Sequence, residues 1–374
     1  MDWYKLLFDE RPKTTRLDLY DMEQQLTSLT SALRRGDPMV LILGLRRTGK
    51  TSLLQTGLGE AKFPQIILDL RAVGEKPYAT KKDLLQLLEG AVNRFLAEQR
   101  SRAGRILDRL KGIGGVQVMG TGVTFRWAGK EPVQIVDVFK LLDEAASRDK
   151  YRLVIAFDEA QELGKVAGFN MQRILAHVYD YCKNTTVVLT GSAIGLLRDF
   201  VGANDPKAPL YGRGMTEITM GRFNEEQSRD FLEKGFKQSG MRPDEKVLGE
   251  AIGKLDGIAG WLTLFGSTCV KEGVSSSAIE KVRKAGVAMV RREFQNFLGP
   301  RQIAKKRYTR IMKELASGPA SWSDIKRSIQ VLEGRTVNDR TVTALVAELT
   351  KAGFVEKEGE SYKIGDPLVA EAFH

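Results

Sequence analysis

Eight consecutive residues, Gly44-Leu45-Arg46-Arg47-Thr48-Gly49-Lys50-Thr51, fit the pattern G-x-x-x-x-G-K-[ST] at every position. The chemistry these residue types support is the gripping of a polyphosphate. Glycines let backbone N–H groups turn inward around phosphate oxygens, at φ values that side chains oppose. Lys50 supplies a point charge for the β- and γ-phosphates, and the Thr51 hydroxyl is a hard oxygen ligand for Mg2+. The expected nucleotide-binding set is this loop together with Ser52. Arg46 and Arg47 can face solvent, a phosphate or another subunit.

A second constellation is YRLVIAFDEAQEL, Tyr151 to Leu163. Its apolar run delivers Asp158 to a strand end, where a carboxylate can hold Mg2+ through water. Glu159 can orient a water for in-line attack on a γ-phosphate. The same pair would also cap a helix. Thr190 and Ser192 in VVLTGSAIG fit either γ-phosphate sensing or capping of the next helix. Arg213, in LYGRGM, is a candidate for stabilising transition-state charge, or an ordinary surface arginine.

These groups need elements to position them. Met39–Leu43 is wholly apolar and predicts a strand buried on both faces, with Lys50–Gly59 opening a helix. Buried strands are also expected at Gln65–Leu70, Arg152–Phe157 and Thr186–Leu189, and a fifth at Glu217–Met220. Helical periodicity marks Asp18–Leu33, Lys81 to about Arg102, Pro132–Ala146 and Met171–Cys182. Strands alternating with helices predict an α/β fold with a mostly parallel, doubly covered sheet. Alternating apolar residues over Gly112–Trp127 predict an inserted β-hairpin. After Phe223 the strands stop, and four helical segments follow to Phe297. From about Tyr308, three short helices and two short strands around Gly359 form a winged-helix pattern. The expected domains are 1–222, a P-loop ATPase domain with its hairpin near 112–127; 223–297, a helical lid; and 298–374, a winged helix.

Composition limits the alternatives. Two distant cysteines, Cys182 and Cys269, exclude a disulfide framework, and two histidines leave little for a histidine metal site. No stretch reaches the roughly 18 apolar residues of a membrane span, and the start MDWYKLLFDERPK carries no signal-peptide core. A cytoplasmic protein without membrane contact is expected. The net charge of +11 favours polyanionic partners. Ile279–Arg310 alone holds ten basic residues against two acidic ones. That stretch is either a solvated helix face or a nucleic-acid contact.

The motifs GLRRTGKTSL, FDEAQEL, LTGS, LYGR and LDGIAGWL, in that order and followed by a winged helix, resemble the archaeal-type ATPases of the STAND class, relatives of AAA+ proteins. The resemblance covers nearly the whole chain. It implies a sheet of order 5-1-4-3-2, ATP/ADP and Mg2+ as cofactors, and a lid over the nucleotide. It places Gly257 near the base, although Ala259 stands where the family has proline. It also brings the lead-in stretch FDERPKTTRLDLYDMEQQL near the adenine. The implied function is an ATP-hydrolysing switch, slow in turnover, whose nucleotide state gates the winged helix. The winged helix and Ile279–Arg310 are candidate DNA contacts; a protein partner or ATP-dependent self-association are alternatives. Two rival readings are a nucleotide-gated DNA-binding regulator and an AAA+ replication initiator or loader.

Overall fold

The structure, a computed structural model, describes residues 7–74, 79–99, 101–126, 132–168 and 170–374. Five parallel strands make the main sheet: β1 (Met39–Gly44), β2 (Gln65–Asp69), β5 (Leu153–Asp158), β6 (Thr185–Gly191) and β7 (Thr216–Met220). Their spatial order is β2-β5-β6-β1-β7, the order the family resemblance implies. Every residue of β1, β5 and β6 is buried, which is why these strands read as unbroken apolar runs. Successive side chains go to opposite faces. Met39, Leu41 and Leu43 enter one core with Ile155 and Leu189; Val40 and Ile42 enter the other with Val154 and Val188.

β3 (Val116–Met119) and β4 (Gly122–Phe125) form the expected hairpin, and Trp127 lies outside the described residues. The helical stretch from Lys81 is two helices, Lys81–Glu98 and Ala103–Leu110. The first helix starts at Glu23 rather than Asp18, because Asp21 takes a left-handed φ of 49° that a helix cannot continue through.

Beyond β7 come the helices of the expected lid, Glu225–Gln238, Glu245–Leu255, Ala259–Glu272 and Ser276–Leu298. The C-terminal part has helices Lys305–Ala316, Trp322–Glu333 and Asp339–Lys351. Its sheet has three strands, not two: β8 (Ala320–Ser321) pairs with β10 (Ser361–Lys363), which pairs with β9 (Glu356–Glu358). One hydrophobic core runs through both parts. Phe294 of the last lid helix stands edge-on to Phe354 and Phe373, with centroids 5.3 and 4.7 Å away. The boundary expected at 298 thus falls inside continuous packing. The lead-in segment joins the same core: a Cβ on Gly235 or Gly266 would lie 2.3 or 2.2 Å from the Phe8 ring, so Phe8 is inserted between two lid glycines. Among the described residues, no helix is long and apolar enough to cross a membrane.

Candidate functional site

The phosphate loop runs from the end of β1 into helix Lys50–Ala61. Two of its glycines are required by geometry. A Cβ on Gly44 would lie 2.7 Å from Met220 Cβ, and Gly49 has φ 91°. Arg47 also takes a positive φ, 65°. Thr48 Oγ1 donates to the Leu45 carbonyl at 2.8 Å and closes the loop. Lys50 is 5% exposed and donates to the same carbonyl at 2.6 Å. Burial pushes its pKa down to about 8, against the pull of Glu159 and Asp158.

β6 lies between β1 and β5, so Thr190 stands between the loop and the acidic pair. Asp158 is 3% exposed and accepts from Thr51 Oγ1 at 2.9 Å and from Thr190 Oγ1. Thr190 Oγ1 accepts in turn from the Glu159 amide at 3.1 Å. Thr190 therefore orients the acidic pair, with its hydroxyl already bonded on both sides. Glu159 takes φ 57°, and its carboxylate accepts from Ser192 Oγ and Gln161 Nε2, each at 2.5 Å. Burial raises its pKa, but Lys50, Ser192, Gln161 and Arg46 outweigh that and hold it below the ordinary value.

The loop and the acidic pair share a cavity of about 450 Å³, within the usual range for a small-molecule site. Lys50, Thr51, Ser52 and Glu159 line its floor. Pro12, Lys13, Leu19 and Tyr20 of the lead-in segment close one side, and Ala259, Gly260 and Leu264 of the lid close another. The Lys13 amide donates to Ser52 Oγ at 3.0 Å, tying the lead-in to the helix start. Gly257 does not line the cavity. Its φ is 65° and its carbonyl accepts from the Phe223 amide at 2.9 Å, so it sets how the lid leaves the sheet. The lid meets the loop through Gly260, whose amide donates to the Arg47 carbonyl at 2.9 Å.

Arg213 is not brought to this cavity. It precedes β7, at the edge where the parallel strands begin, whereas the loop lies where they end. There it pairs with Asp180 at 2.6 Å. Sequence reasoning missed three wall residues. Glu293 takes Arg47 at 2.5 Å and has Arg46 3.7 Å away. Trp261 lies under the Arg47 guanidinium at 4.1 Å. Arg71, just after β2, lines the cavity and pairs with Asp69 at 2.5 Å. The one available signal was at Glu293, a lone acid directly after Arg291 and Arg292.

Half of the basic stretch Ile279–Arg310 is answered within the chain. Lys281 pairs with Glu272, Arg283 with Glu280 and Glu371, Arg301 with Glu348, Arg307 with Glu333, and Arg310 with Glu314. Five of its ten cations are thereby neutralised.

Comparison with known proteins agrees with this geometry. Residues 19–265 match the family described as "ATPase domain predominantly from Archaea", and residues 302–365 match the C-terminal winged helix-turn-helix domain of MCM proteins. No curated protein matches the chain. Among solved structures, the Walker-type ATPase PABY2304 of Pyrococcus abyssi is 30% identical. The alignment covers 98% of this chain and 99% of that one, with a TM-score of 0.80. The ORC2 protein of Aeropyrum pernix, solved as ADPNP-ADP complexes, shares the fold at 12% identity and a TM-score of 0.59, covering 98% and 96% of the two chains. A P-loop ATPase with a C-terminal winged helix, the chain belongs to the family of ATPase domains found predominantly in Archaea.

Proposed function

We propose that this ATPase is a Mg2+-dependent, STAND-type switch in which the bound nucleotide sets the position of the winged helix. In the chemical step, a water held by Glu159 attacks the γ-phosphorus. The bond to the β,γ-bridging oxygen breaks, giving ADP and phosphate, and the proton of the water leaves through the Glu159 carboxylate. Lys50 exchanges the neutral Leu45 carbonyl for phosphate oxygens, which are stronger, charged acceptors. Thr51 and Asp158 would hold Mg2+. Their oxygens lie 2.9 Å apart, and a site with few protein ligands suits an ion that keeps waters and phosphate oxygens in its shell. When bound, Mg2+ supplies charge neutralisation across the β- and γ-phosphates.

The observation that carries the switch reading is a continuous line of contacts from the loop to the winged helix. Arg47 lies on Trp261 at 4.1 Å, and the Trp261 indole donates to Asp366 at 3.0 Å, just before the C-terminal helix Pro367–Glu371. A second line starts at Glu159 and passes to Ser192, whose carbonyl would lie 3.3 Å from a Cβ on Gly353 at the end of helix Asp339–Lys351. Lys351 pairs with Asp199 at 2.8 Å beside it. Both ends of the nucleotide site thus lean on the winged helix.

DNA is the second reading. The match to an MCM-type winged helix favours it, as does the exposed start of helix Asp339–Lys351 at Asn338, Asp339 and Arg340. Internal neutralisation of Ile279–Arg310 weighs against that stretch as the main contact. ATP turnover tests the chemistry: Lys50→Ala loses tight binding, and Glu159→Gln binds ATP but slows hydrolysis by at least 100-fold. Unchanged turnover in both variants would refute the assignments.

A further inference from the structure

A second cleft, of about 770 Å³, opens at the edge of the main sheet where the strands begin. It lies across the sheet from the nucleotide cavity. Lys62, Arg102, Lys150 and Arg152 line it, against one carboxylate, Glu98. Among the described residues, Lys62, Lys150 and Arg152 form no ion pair, and Arg102 is only 3.8 Å from an Asp149 that Arg105 holds at 3.0 Å. The carboxyl ends of helices Lys50–Ala61, Lys81–Glu98 and Ile135–Arg148 converge here. Each contributes a partial charge of about −0.5. The Arg152 guanidinium lies on Gly36, the end of a fourth helix, Glu23–Arg35, so four such ends and Glu98 leave the four cations an excess of roughly +1.

One further feature points to a ligand. Gln65 Oε1 and the Tyr151 hydroxyl are buried without partners, and both side chains line the cleft. Lys62 and Lys150 adopt left-handed φ values of 55° and 54°. Both positions close helices, Lys62 after Lys50–Ala61 and Lys150 after Ile135–Arg148, where a left-handed residue is a common ending. The half-buried ring of Phe63 supplies a flat apolar face, while the Tyr151 ring already carries the Arg102 guanidinium 4.8 Å from its centroid.

We propose that this cleft binds a phosphate-bearing ligand with an aromatic base. The cations would take the phosphate and the Phe63 ring would stack on the base. Free nucleotides and single-stranded nucleic acid share that chemistry. Helix Lys50–Ala61 links the two sites as a rod about 18 Å long, with Lys50 at one end and Lys62 just past the other. The inference does not depend on ATP turnover.

The test is equilibrium binding of two probes to the full chain carrying Lys50→Ala, which silences the first site. The probes are a labelled single-stranded DNA octamer and adenosine 5′-monophosphate. Lys62→Gly with Lys150→Gly removes two charges while suiting the left-handed backbone, so this variant should melt no lower than its parent. It should weaken binding of at least one probe by tenfold or more. Lys305→Gln with Lys306→Gln, in the basic stretch outside the cleft, should change it less than twofold. Binding of the octamer alone assigns a strand; binding of the monophosphate assigns a free nucleotide. If neither probe binds at low salt, or the glycine variant binds both as before, the cleft is not such a site.

Discussion

Among the described residues, Glu293 is the one carboxylate that both loop arginines approach, at 2.5 Å for Arg47 and 3.7 Å for Arg46. It sits on the wall of a cavity that must admit a triphosphate. At an assumed separation of about 9 Å, one negative charge opposes about three phosphate charges by about 2 kcal/mol at an effective dielectric of about 60, between the values for a protein surface and for water. Counterions at physiological salt reduce this to about 1 kcal/mol or less, because the Debye length there is about 8 Å. Glu293→Gln removes the repulsion and frees Arg46 for phosphate. ATP should then bind about fivefold tighter near physiological salt and about tenfold tighter at about 0.01 M salt, where screening is weak. Isothermal titration of the full chain with a non-hydrolysable ATP analogue at the two salt concentrations measures both values. The ion pair is about one-fifth exposed, so its loss should cost about 1 kcal/mol of stability and a few degrees of melting temperature. Unchanged or weaker affinity at both salt concentrations would show that Glu293 props the lid and does not compete with phosphate.

Two other outcomes follow from the same geometry. With its pKa lowered to about 8, Lys50 of the free protein loses its proton as pH rises through that value, while phosphate keeps it charged in the complex. ATP affinity should therefore fall above about pH 8, and calorimetry in two buffers about half a unit above it should show uptake of up to one proton, lost in Lys50→Arg. Trp261→Phe keeps a ring under Arg47 but deletes the indole bond to Asp366. Nucleotide affinity should change less than threefold, while hydrogen exchange in Asp366–Ala372 should no longer respond to ATP; a retained response would break the proposed line of contacts.

The sequence was legible where function depends on local backbone. Gly44–Thr51 and Asp158-Glu159 were readable because a short segment leaving a buried strand sets their conformation. The parallel sheet was readable because strands covered on both faces are apolar throughout. Register and packing were not readable, and they recast three residues: Thr190, Gly257 and Arg213. Thr190 bonds to Asp158 and the Glu159 amide because β6 lies between β1 and β5. Gly257 shapes the departure of the lid and stays off the cavity wall.

The chain's letters by themselves determined the glycine-bracketed loop Gly44–Thr51, the position of the acidic pair at a strand end and the alternation of strands and helices, since each is written within a few consecutive residues. Only the tertiary structure decided which charges are free. Arg213 lies at the far edge of the sheet because parallel strands all begin on one side. Half of the basic stretch is neutralised by carboxylates as distant as Glu371, and Glu293 faces the loop across more than 240 residues of chain. Electrostatic partnership depends on distance through space, and sequence separation carries no record of that distance until the cores have packed.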